Sequence, residues 1–151
     1  MKLNHAQSTL GIICFSMLLG LAQVAQAHEC SASGVAGKYG YTSNGTIVTP
    51  AVGPFVAVGR VTVTDTGTFS GTQTASIAGN LFDETIQGTY TVNPDCTGTL
   101  TAYIYHGSTL ARTSRTNIVW DNLEQEFRQI VLTAGTAITI TGRKMFHDDE
   151  D

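Results

Sequence analysis

The chain has 151 residues, a formal net charge of −4 and only 13% charged residues, so no basic surface exists to hold phosphates and nucleic acid is excluded as a partner. Four of the twelve Asp and Glu residues crowd into the last four positions, which leaves the rest nearly neutral. The length supports one domain with its own core and not two.

In chain order, the first 27 residues stand apart. Lys2 is followed by the apolar run LGIICFSMLLGLA at 10–22 and by AQA at 25–27. A short positive start, about a dozen apolar residues and an A-x-A end predict a secretory signal peptide cleaved after Ala27. The run falls short of the roughly 20 residues a membrane helix needs, so no membrane association is expected after cleavage. The expected product is a secreted protein, extracellular or periplasmic. It consists of one domain over 28–146 and an acidic disordered tail over 147–151.

Cleavage removes Cys14 and leaves Cys30 and Cys96. An even count in an oxidising compartment predicts a disulfide between them. Closing a loop of roughly 65 residues is worth about 4 kcal/mol in the chain-entropy model. Two thiols without further ligands do not make a zinc site, and neither metal nor cofactor is expected. One constellation would change that: a leading His28 approached by His106 would resemble a copper-holding histidine brace.

Threonine fills 22 of the positions after Ala27, while long helix formers are scarce, a composition of half-exposed strands. Period-two alternation predicts strands over 37–43, 55–64, 68–77, 82–92, 98–106, 110–121, 124–133 and 136–146. The links DTG, AGN, NPDCTG, HGS, DNLE and TAGT are too short for helical crossovers, so successive strands are antiparallel neighbours. The expected fold is all-β, an eight-stranded antiparallel up-and-down barrel. The segment SNGTIVTPAVGP at 43–54 reads as an irregular flap over the mouth, kept out of the sheet by Pro50 and Pro54.

Alternation also assigns faces. Phe55, Ala57, Val61 and Val63 share one side with Gly59; Phe69, Gln73, Ala75 and Ile77 share another; Glu84, Ile86, Tyr90 and Val92 follow, then Leu100, Ala102, Ile104 and His106. A two-residue hairpin at DNLE would set Ile118 against Phe127 and Thr116 against Gln129. A turn at Gly135 and Thr136 would set Val131 against Ile140 and Gln129 against Gly142. Ile118, Trp120, Phe127, Val131, Ile138 and Ile140 then face one interior.

Polar residues on those inner faces are the informative ones: Gln73, Glu84, His106, Gln129 and Arg112. Glu84 begins one strand and His106 ends the next, so the hairpin between them brings both to one barrel end. A carboxylate beside an imidazole at a cavity mouth is a general-base pair or a satisfied polar rim. Gln129 opposite Gly142 would leave room for a ligand against the sheet. No Ser-His-Asp order, nucleotide loop, paired-carboxylate motif or HExxH is present.

On GRVTVTDTGTFSGTQT at 59–74 and GTYTVNPDCTGTL at 88–100, the chain resembles a group of small exported bacterial β-barrel proteins of unassigned function, over roughly 37–144. More distantly it is similar to allene oxide cyclase and dirigent-like barrels. That resemblance implies eight antiparallel strands, a tendency to form homo-oligomers, and cavities that guide apolar intermediates without a cofactor. None of those families' functional residues map onto this chain one by one.

The expected function is binding of a small apolar molecule inside the barrel. Glu84, His106 and Gln129 would be its polar contacts, with Trp120, Phe127 and Tyr90 as walls. The alternatives are a cofactor-free cyclase or isomerase, which would require catalysis not otherwise expected, and a structural protein with a filled interior. Ile130 and Leu132 on the outer face suggest a subunit contact.

Overall fold

The computed structural model describes residues 28–49, 52–121 and 123–145. The predicted signal peptide, Pro50, Phe146, His147 and the acidic tail lie outside them. A short helix, α1 (Ala32–Val35), precedes eight strands. These are β1 (Gly37–Ile47), β2 (Gly53–Val63), β3 (Thr68–Ile77), β4 (Asn80–Val92), β5 (Thr97–His106), β6 (Thr109–Asp121), β7 (Glu126–Val131) and β8 (Thr136–Lys144). Each strand pairs antiparallel with the next, and β8 closes on β1. The result is the expected up-and-down barrel, in which closure leaves no full-length edge strand.

Alternation of side chains produces the two surfaces. Phe55, Ala57 and Val61 of β2 are buried while Val56 and Val58 between them are exposed. Threonines outside form cross-strand pairs, such as Thr91 with Thr99 at 3.0 Å and Thr42 with Thr141 at 3.3 Å. The larger core cluster, with Tyr39, Phe69, Tyr90, Trp120 and Phe127, fills the end that carries α1, here called the floor. A smaller one, Phe55, Ala57, Ala75 and Ile138, lies toward the mouth.

Three expectations are corrected. The flap over 43–54 is mostly strand: β1 runs on to Ile47, and Pro54 pairs with Thr46 inside β2. Pro54 is tolerated because its carbonyl accepts from Ala78 N at 2.9 Å, so the side lacking an N–H faces the β3–β4 turn and not β1. The register of β7 is also displaced by two residues. Trp120 pairs with Phe127 and Ile118 with Gln129, while Phe127 meets Gly142 and Gln129 meets Ile140. Both turns take four residues, 122–125 and 132–135, and not two. Because the displacement is even, every inner face survives.

The third correction concerns Gly142. Its surface is not left for a ligand, because the Phe127 ring lies on it and a Cβ there would strike that ring. Gly98 does the same for Trp120, whose ring would come within 2.9 Å of an added Cβ. Large inward rings fit this small barrel where a neighbouring strand offers glycine.

α1 was not visible in the sequence, because four residues show no helical period. Ser31 caps it by accepting from Gly34 N at 3.0 Å, and Val35 N bonds Ser31 O at 3.0 Å. Val35 is fully buried, so the helix plugs the floor. The disulfide Cys30–Cys96 joins residues 66 positions apart and pins this plug to the β4–β5 turn, with Cys30 N bonding Pro94 O at 3.1 Å.

Candidate ligand cavity and its charged rim

Above the plug lies a cavity of about 190 Å³, with mostly apolar walls. Tyr90 and Trp120 pack ring to ring at 5.9 Å near its floor, and Phe127 packs on Tyr39 at 5.3 Å. Tyr39 ties floor to plug by sharing its one hydroxyl proton between Val35 O at 2.7 Å and Glu124 O at 3.0 Å. Burial, then the charge of Glu124, hold that hydroxyl far above its ordinary pKa, so it stays a donor.

The wall is incomplete on one side. β7 is short, and its last pairing with β6 is Val131 with Thr116, whereas β6 begins at Thr109. Among the described residues, the mouth half of β6 therefore has only β5 beside it. Thr113, Ser114, Thr133 and Thr136 line the cavity on this side.

At the mouth stands a charged cluster centred on Glu84, whose side chain is fully buried. His106 Nε2 meets Oε1 at 2.8 Å, Gln73 Nε2 donates to Oε2 at 2.5 Å, and Arg112 donates to both oxygens, the Nη2 bond to Oε2 measuring 2.7 Å. An ionised carboxylate only accepts, so His106 Nε2 carries the proton of this contact. Burial works to raise the Glu84 pKa, but the hydrogen bonds from Arg112, Gln73 and His106 and the Arg112 charge outweigh it and hold the carboxyl below its ordinary value. Tyr41 extends the chain inward, donating to Gln73 Oε1 at 2.7 Å; burial and then the Glu84 charge push its hydroxyl well above the ordinary range.

Local structure explains this convergence. Ile104 pairs with Arg112 but Tyr105 with Leu110, so Ala111 is an extra residue in β6. Such a bulge bends the strand at a barrel rim and redirects the side chain beside it. Arg112 crosses the mouth to Glu84 and lies 5.7 Å from the Phe55 ring. His106 is stacked on Phe82 at 4.8 Å.

The candidate residues therefore fall in two places. Tyr90, Trp120, Phe127 and Gln129 line the cavity, whereas Glu84 and His106 do not. The polar chain reaches the cavity through Gln73, Arg112 and Tyr41. Tyr41 escaped the sequence reading because no faces were assigned to the first strand, although its alternation with Tyr39 and Ser43 was there to use.

The His28 and His106 brace does not form. His28 Nε2 lies 3.5 Å from Glu124 Oε2 at the floor, and His106 sits at the mouth, a 13-residue strand away. His28, Cys30 and Glu124 approach one another within 4.8 Å, but Cys30 is committed to the disulfide, which leaves fewer ligands than zinc needs. Glu124 instead anchors the plug by accepting from Ser31 N at 2.8 Å. Compared with protein-family models, curated proteins and solved structures, the chain matches none of them.

Proposed function

We propose that this is a secreted barrel that binds a small, mainly apolar molecule in its interior, with Trp120, Phe127 and Tyr90 as walls and Gln129 as a polar contact. The observation that carries the reading is the apolar cavity of about 190 Å³ with a gap in its wall between β6 and β8. A closed structural core would pack to a density that leaves few voids larger than a water molecule. The disulfide is compatible with an oxidising compartment, which supports secretion.

The isomerase reading, which the likeness to allene oxide cyclase barrels suggests, has less support. It asks Glu84 or His106 to exchange a proton, yet the Glu84 carboxylate accepts from three side chains and is held below its ordinary pKa, and His106 Nε2 is engaged with it at 2.8 Å. A homo-oligomer contacting through the exposed Ile130 and Leu132 is part of the proposal.

Native mass spectrometry of the protein purified from its own host tests the reading. A retained small molecule, lost on denaturation, is the expected result. Protein that carries none, and whose single tryptophan, Trp120, gives the same emission with and without small apolar compounds, would overturn it.

A further inference from the structure

Gln129 sits in the middle of β7, between Ile118 and Ile140 in the register, and is 9% exposed. Its Oε1 accepts from Thr116 Oγ1 at 3.0 Å. Thr116 is 2% exposed, and among the described residues its hydroxyl has no other acceptor. That proton holds Oε1 toward Thr116 and turns the amide nitrogen to the opposite side. Gln129 lines the cavity, and among the described residues nothing accepts from its Nε2. That N–H opens onto the mostly apolar cavity and meets no acceptor among the described residues, so the position favours a ligand that brings one.

The rest of the lining limits what that acceptor belongs to. Gln73, the other buried polar side chain of the lining, is spent on Glu84 and Tyr41. Arg112 gives both terminal nitrogens to Glu84, so a carboxylate inside would find no free counter-charge. A hydroxyl could meet that N–H too, but it would bring a proton for which the side chains beside Gln129 in the register, Ile118 and Ile140, offer no acceptor. For size, an engineered apolar cavity of about 150 Å³ takes up benzene. The 190 Å³ here suits one ring and a few further atoms.

We infer that the interior ligand is an uncharged, ring-sized molecule whose one polar group is a carbonyl oxygen, held by the Gln129 amide N–H. This deepens the small-molecule reading above and rests on it.

The test uses four matched probes, ethylbenzene, acetophenone, 1-phenylethanol and benzoate, followed by the methyl NMR signals of Ile118 and Ile140. Acetophenone is expected to bind about tenfold more tightly than ethylbenzene, the ratio one neutral hydrogen bond supplies. 1-Phenylethanol should fall between them and benzoate should not bind. Gln129→Leu should remove the acetophenone advantage, so that acetophenone and ethylbenzene bind alike. Gln129→Met, unbranched and of similar length, repeats the test with least disturbance, and Trp120 emission reports that each variant is folded. Equal affinities for ethylbenzene and acetophenone, or an advantage that survives both substitutions, overturn the carbonyl inference while leaving a binding cavity. If no probe moves the methyl signals, the small-molecule reading fails with it.

Discussion

Glu84 carries its charge in a place where a carboxylate survives only with partners on every lone pair, and Arg112, Gln73 and His106 supply them. Replacing it by Gln leaves Arg112 facing a neutral amide at the mouth. Since Arg112 keeps about a third of its surface in solvent, the expected cost is discounted to about 2 kcal/mol, read from urea unfolding at pH 7. A lowered folded-state pKa means that this stabilisation is complete above the ordinary carboxylate range and is lost as pH falls through the folded value. The wild-type urea midpoint should therefore drop, as pH falls below the ordinary carboxylate range, by more than that of Glu84→Gln; parallel curves would refute the assignment. Glu84 and His106 were legible in the sequence because both flank a single hairpin and counting along two strands brings them together. Arg112 and Tyr41 were harder to place: one is aimed by a bulge, the other reaches Gln73 only once the barrel curls.

Turns decide more than strands at the scale of elements. Ala78 and Gly79 form the β3–β4 turn with φ of 49° and 88°, the left-handed geometry that suits Asn-Gly far better than Ala-Gly. Ala78→Asn should stabilise the barrel by about 0.5–1 kcal/mol, seen as a rise of a few degrees in the calorimetric midpoint. In the β6–β7 turn, Leu123 and Glu124 both adopt positive φ, 55° and 66°. That conformation delivers the Glu124 carboxylate to Ser31 and its carbonyl to Tyr39. The sequence offered DNLE as a two-residue hairpin because nothing in four letters reports that a distant plug needs Glu124. The plug depends on the disulfide as well. Cys30→Ser with Cys96→Ser should lower stability by about 4 kcal/mol in the chain-entropy model, with hydrogen exchange rising first over 28–36. Protection there equal to that of the strands would contradict the plug's reliance on the bridge.

The whole molecule holds a compromise between packing and capacity. Filling the cavity should trade one for the other: Ala102→Leu, from an inward position on β5 that lines it, is expected to raise stability by about 1 kcal/mol and to abolish uptake of small apolar probes. Loss of stability instead would mean that the space is already occupied by well-packed neighbours. For the proposed homo-oligomer, sedimentation should give a mass above one chain, and Ile130→Lys should return it to a single chain.

The order of strands, their antiparallel pairing and the inner faces from the second strand onward followed from the sequence alone, because side chains alternate with period two and short links force neighbours to pair. Cys30 found Cys96 by parity. What only the tertiary structure decided were distances that depend on curvature and on sequence-remote partners. These are a plug made of four residues, a wall thinned where β7 stops at Val131, Phe127 lying over Gly142, and an amide N–H at Gln129 for which the described residues supply no acceptor. Local pattern sets direction in or out, but how much space remains inside is a property of closure, which no stretch of the chain encodes by itself.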